Sequence, residues 1–180
     1  MTNLAATLAI VLHAIVPSVS EERTNAIAED MVRVVETEAN DKRLDLVDSV
    51  SMLAAAAIHE SGLRESVENC RNAGDGGRSV GLGQVMRGPN WEGYTRAEIC
   101  GSRKLQLQLA LHTIGRCDVK GRSKEAIFRC YTSGSAGVDS AAARSEYKLY
   151  LNVRDRVRAS VAKSKSKKTE ETSGTGGTDS

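Results

Sequence analysis

Aromatic side chains are scarce in this chain: one Trp, one Phe and four Tyr make up 3% of 180 residues. Each aromatic that falls near a groove therefore carries information, either as a surface for a sugar face or as a packing anchor. Excess charge of one sign is also missing. The balance is 25 Lys and Arg against 23 Asp and Glu, a formal +2 with the basic residues scattered, which gives no warrant for a nucleic-acid partner. The four cysteines, Cys70, Cys100, Cys117 and Cys130, form no CxxC pair and no zinc-finger spacing, so no metal is expected. They fit buried free thiols or two disulfides, the latter in any of three connectivities and each contributing on the order of 3 kcal/mol outside a reducing cytosol.

Long apolar runs are missing too. The best stretch, NLAATLAIVLHAIVPSVS, is too short to span a bilayer and is interrupted by His13, so no stable membrane insertion is expected. No Lys or Arg precedes it, and a secretory signal needs that charge. Leu4, Leu8, Val11, Leu12 and Ile15 recur at helical spacing, and this predicts an amphipathic first helix.

What is present reads as one mainly α domain over residues 1–161, long enough to bury a substantial core. Pro17 and the following Ser18 to Glu21 resemble a helix start with a capping box, opening a helix to about Ala39 with Ile27, Met31, Val34 and Val35 on one face. A polar turn at Asn40 to Arg43 follows. Leu46, Val50, Leu53, Ala57 and Glu60 then step by four and three along a single stripe, and Gly62 supplies the stop. Glycine-rich sequence from Asn69 to Tyr94, with short strands at Ser79 to Leu82 and Gln84 to Met86, predicts a small hairpin region lining a groove. LQLQLALHTIG alternates as a strand would, yet its Leu, Gln and Ala are good helix formers, so a helix stopped by Gly115 is expected. Ser123 and Glu125 open a helix ending near Gly134. A last helix begins near Ser140, with Tyr147, Tyr150, Val153, Val157 and Val161 inward. Residues 162–180, with Lys163, Lys165, Lys167 and Lys168 in Ser, Thr and Gly-rich sequence, are expected to be a disordered tail.

Glu60 is the anomaly in this pattern, a carboxylate in the last turn of an apolar stripe. Lost hydration and the partial negative charge at a helix C-terminus both favour its neutral form. A rise of roughly two units from about 4.3 would correspond to near 3 kcal/mol, and a group that keeps its proton at neutral pH suits general acid catalysis. Competing motifs fail on single residues. His59-Glu60 begins a zinc-protease helix, but Leu63 stands where the second His belongs. Gly81-Leu82-Gly83 begins a dinucleotide pattern, but Met86 replaces its last Gly. Cys130 with His112 as nucleophile and base lacks any sequence link, and a core cysteine is expected instead.

Three segments in order resemble the lytic transglycosylase branch of the lysozyme-like superfamily: Glu60-Ser61-Gly62 at a helix end, Gly81-Leu82-Gly83-Gln84-Val85 in the hairpin region, and Cys130-Tyr131-Thr132-Ser133-Gly134 at another helix end. The resemblance spans about Val47 to Gly137. It implies an α+β lysozyme-like helical bundle with a small hairpin along a substrate groove, acting on peptidoglycan glycan strands without a cofactor. The bond cleaved would be the β-1,4 link between N-acetylmuramic acid and N-acetylglucosamine. By the same resemblance Glu60 is the acid and then the base; Ser61, Gly81, Leu82, Gln84 and Ser133 contact or orient substrate; Tyr131 holds the catalytic region through its hydroxyl. The sugar's own 6-hydroxyl attacks, so a 1,6-anhydro end forms. Gly83 departs from the family's methionine, and Thr132-Ser133 from its Asn-Ala. Trp91 and Tyr94 are candidates for stacking on sugar.

A muramidase would need a second carboxylate, with Asp75 the first candidate and Glu92 and Glu98 behind it. A noncatalytic wall-binding or virion structural protein is the third reading. Action on the cell wall fits a periplasmic or secreted enzyme and a phage particle equally, and the sequence leaves the oligomeric state open.

Overall fold

Four consecutive alanines, Ala54, Ala55, Ala56 and Ala57, set the packing, because a helix with nothing beyond Cβ lets its neighbours approach from every direction. The computed structural model describes residues 3–39, 45–72 and 74–173, excepting the side chains of residues 39, 75 and 164–173. Its helices are α1 (Asn3–Ile15), α2 (Glu21–Ala39), α3 (Leu46–Ser61), α4 (Glu65–Glu68), α5 (Arg96–Cys100), α6 (Arg103–Cys117), α7 (Lys124–Ser133) and α8 (Ala141–Ser173). Between α4 and α5 lies one antiparallel hairpin, β1 (Ser79–Val80) with β2 (Val85–Met86), registered Ser79 to Met86 and Val80 to Val85. The molecule is mainly α, as the periodicities require.

Helix α3 carries the alanines and packs against α2, α6 and α8. Every residue from Ser49 to Ala57 is buried, so the helix has no solvent face along that stretch and the single stripe read from sequence understates its burial. Asp45 caps its start by accepting from the Asp48 amide at 2.9 Å; Gly62 ends it at φ 58°, where a side chain would be strained. Helix α8 runs antiparallel alongside. Arg158 donates to Asp48 at 2.9 Å near one end, and Glu146 comes beside Glu60 at the other. Helix α1 lies on α2 and α8 with Leu8 and Leu12 fully buried, each burial stabilising by about 1.5–3 kcal/mol.

Both disulfides form. Cys70–Cys100 ties the end of α4 to α5, and Cys117–Cys130 ties α6 to α7. With sequence separations of 30 and 13, loop-closure entropy puts each at about 3–4 kcal/mol. The hairpin is held by Gln106, whose buried amide donates to the carbonyls of Glu68 and Ile99 and accepts from the Leu82 amide at 2.9 Å. One side chain of the LQLQL run thus saturates three backbone groups in the interior.

Four details differ from the sequence reading. Ser20 rather than Ser18 caps α2, accepting from the Arg23 amide at 3.3 Å, which puts Arg23 where a capping-box glutamate would stand. Gly115 does not stop α6; the helix continues to Cys117, and a Cβ at Gly115 would meet nothing. The residues joining the hairpin strands, Gly81 to Gln84, form its turn, so both strands are shorter than expected. Helix α8 persists to Ser173 instead of giving way at 162, because propagation adds one hydrogen bond per residue and Lys and Glu are good helix formers. The Asn40 to Arg43 turn and residues 174–180 lie outside the described residues.

Candidate active site

A groove of about 720 Å³ opens between the hairpin, the C-terminal half of α6 and the end of α7, and Glu60 at the end of α3 lines it. That size suits a small-molecule or oligomer subsite. Tyr131 on α7 reaches across and donates its hydroxyl proton to the Gly83 carbonyl at 2.7 Å, fastening the hairpin turn to the helix. Burial, then the charges of Glu146 and Glu60, push the Tyr131 phenol well above its usual range, so it stays a donor.

Glu60 is open to the groove, its side chain one-quarter exposed and its Oε1 3.5 Å from His59 Nδ1. The fully desolvated acid is a different residue, Glu146 on α8. It has no exposed surface, and neither carboxyl oxygen has a hydrogen-bond partner. Desolvation, then the neighbouring Glu60, push its pKa up to about 9, so it is a neutral acid at pH 7. One atom each from His59, Glu60 and Glu146 lie within 4.8 Å of one another, a set of types that a divalent cation can use. Bonds of 2.0–2.2 Å draw zinc ligands to roughly 3.3 Å from one another, so this grouping would have to contract to hold a metal.

Of the residues given a catalytic or substrate role in sequence, Glu60, Gln84, Tyr131 and Ser133 line the groove. Gln84 does so with both amide ends in use, accepting from the Gly74 amide at 2.8 Å and donating to the Gly81 carbonyl at 2.9 Å; it braces the loop. Ser61 faces the interior. Its buried hydroxyl donates to Ala57 O and accepts from the Leu63 amide at 3.1 Å, closing the end of α3 rather than meeting a substrate. Leu82 is fully buried with its amide held by Gln106, and Gly81, at φ 76°, packs against that same side chain where a Cβ would sit 2.7 Å away. Trp91 is an anchor, not a platform for sugar: it is buried and donates Nε1–H to Val85 O at 2.9 Å. The turn Pro89–Trp91 points it inward onto β2. Tyr94 is exposed away from the groove lining.

The alternative carboxylates have other occupations. Glu92 accepts from His112 at 2.9 Å and from Arg116 at 3.1 Å, and although burial opposes it, these partners hold its carboxyl below the usual range. Glu98 forms the capping box of α5 with Thr95. Asp75 begins a single 3-10 turn, and its side chain lies outside the described residues. His112 sits between Glu92 and Glu38; burial lowers its pKa, but these bonds win and raise it. With Cys130 in a disulfide, no cysteine nucleophile remains among the described residues.

Gly83 has a steric reason to be glycine. A Cβ there would lie 2.6 Å from Ala110 Cβ and 2.9 Å from the Tyr131 hydroxyl, so the methionine of the resembled family has no room. Gly83→Ala is expected to destabilise the protein by about 1–3 kcal/mol in urea unfolding, and adding Ala110→Gly to recover part of that loss. Equal stability of Gly83→Ala and wild type would contradict this packing.

Glu146 is what sequence reasoning missed. Ala143, Glu146, Tyr150, Val153 and Val157 step by three and four along the buried face of α8, so the rule that isolated Glu60 on α3 would also have isolated Glu146. No family model, no curated protein and no solved structure matches the chain.

Proposed function

We propose that this protein is a peptidoglycan lytic transglycosylase of lysozyme-like fold, cleaving the β-1,4 bond between N-acetylmuramic acid and N-acetylglucosamine with Glu60 as general acid and then base. The observation that carries the reading is the pairing of a groove-lining carboxylate, Glu60, with a buried and unpartnered one, Glu146, within 4.8 Å. An uncompensated buried acid costs stability, and such groups concentrate at functional sites.

The division of the two acids favours transglycosylation over hydrolysis. A hydrolase needs its second carboxylate ionised and facing the sugar, as nucleophile or as base for water. Glu146 is neutral and sealed from the groove, while Glu92 and Glu98 are committed to ion pairing and capping, which leaves Glu60 as the groove carboxylate among the described side chains. One acid at the groove suffices when the 6-hydroxyl of the sugar is the nucleophile: Glu60 protonates the leaving oxygen, then removes the hydroxyl proton as the anhydro ring closes. The Tyr131 bond to Gly83 supports this by fixing part of the groove wall that Glu60 also lines. Two disulfides fit work outside a reducing cytosol, at the periplasmic or outer face of a cell wall or on a phage particle.

Digestion of purified sacculi followed by mass spectrometry tests the reading. Soluble fragments with 1,6-anhydro ends are expected. Reducing ends would favour a muramidase, and no fragments from folded protein would leave a wall-binding or structural role.

A further inference from the structure

We infer that Glu146 is the proton store of the site: it supplies the proton that Glu60 delivers to the glycosidic oxygen and takes it back when the reaction closes. The inference rests on the reading of Glu60 as the acid and assigns a second role to a residue on another helix. Three geometric facts carry it. Glu146 has no exposed surface, its two oxygens have no hydrogen-bond partner, and its carboxyl approaches Glu60 and His59 to within 4.8 Å. A carboxyl in this position is retained at a cost in stability.

The titratable groups that face Glu146 are Glu60 and His59 from α3 and Tyr131 from α7. Glu60 opposes its ionisation, and desolvation opposes it more strongly. Tyr131 does not compete for the proton, because its own is directed to the Gly83 carbonyl. Glu60 is open to the groove, whereas Glu146 is sealed from it.

The sequence of transfers balances. The Glu146 O–H bond breaks as a Glu60 O–H bond forms. That bond then breaks as the glycosidic oxygen takes the proton and the anomeric C–O bond cleaves. Glu60, now a carboxylate, accepts the proton of the 6-hydroxyl as its oxygen bonds to the anomeric carbon, and the proton returns to Glu146. No water and no other co-reactant is consumed.

The test compares wild type with Glu146→Gln and Glu146→Asp, as full-length protein, on purified sacculi across pH 4–10. Glu146→Gln is expected to lower kcat by about 10–100-fold with KM little changed, and to move the alkaline fall in rate down by more than one pH unit; Glu146→Asp should restore part of both. A uniform loss with an unchanged pH profile would assign Glu146 a merely structural role and overturn the inference. A second readout needs no activity: with ¹³C-labelled glutamate side chains, one carboxyl should remain protonated at pH 7 and titrate near 9, its signal vanishing in Glu146→Gln. All carboxyls ionised at pH 7 overturns the inference even if the wild type is active. A protonated carboxyl in a wild type that releases no glycan overturns the reading of Glu60 instead, and with it the role of Glu146 as its proton store.

Discussion

Glu60→Gln lowers the rate of fragment release from sacculi by about 10²–10⁴-fold, the span that a positioned general acid contributes, and leaves the fold intact. Glutamine keeps the shape of the side chain and removes the transferable proton. The side chain is one-quarter exposed and has one contact of ion-pair range, His59 at 3.5 Å without hydrogen-bond geometry, so little stability depends on its charge. Turbidity loss of sacculi gives the rate, and a urea transition within about 1 kcal/mol of wild type confirms that chemistry rather than folding was removed. Loss of rate with loss of fold would not count, since the assignment requires the two to separate. Release at the wild-type rate would remove Glu60 from the mechanism.

Glu146→Gln stabilises the protein at neutral pH, which is unusual for a buried substitution. With the folded pKa raised from 4.5 to about 9, both states hold the proton below pH 4.5, and only the folded state holds it between there and 9. Across that window the unfolded chain gains by ionising. The stability associated with Glu146 is therefore fully present below about pH 4.5 and declines by about 1.4 kcal/mol per pH unit until it levels off above 9. Glutamine has no proton to lose. The variant is expected to match wild type at pH 4, to exceed it by about 3 kcal/mol at pH 7, and to show a flatter pH dependence between. Urea midpoints at a series of pH values measure this. A parallel pair of curves would mean that the folded carboxyl is ionised. A gain in stability joined to a loss of turnover is the pattern of a residue kept for function.

The elements that position the groove were legible where one local rule decides them. Gly62 and Gly134 both take the left-handed conformation that ends a helix, and Ser123 caps α7 as its residue type favours. Glu60 was legible for a related reason, since a charge interrupting a stripe of steps four and three stands out on one helix alone. Contacts between distant segments were not. Gln106 reads as one half of a Leu-Gln alternation, and nothing in that alternation says that its amide saturates backbone groups 7, 24 and 38 residues away. The orientation of Trp91 depends on a carbonyl in β2, and the interior direction of Ser61 on the turn after α3. The cysteine pairing likewise depended on which helices meet.

Glu146 was missed for a different reason. It lies nine residues beyond Gly137, where the three-segment resemblance stops, and the inward face of α8 was traced through its apolar residues only. Its partner is on α3, which runs antiparallel to α8 and packs against it. The pairing of the two acids is thus a product of tertiary packing, while each acid's anomaly is local. A periodicity test that admits charged residues finds both.

Digesting sacculi in H₂¹⁸O with wild type and Glu60→Gln side by side, and weighing the released ends, separates the roles open to Glu60. Wild type should release abundant fragments that end in anhydro sugars and carry no heavy oxygen, and the variant almost none. Labelled ends, or equal release by both proteins, would contradict the transglycosylase reading.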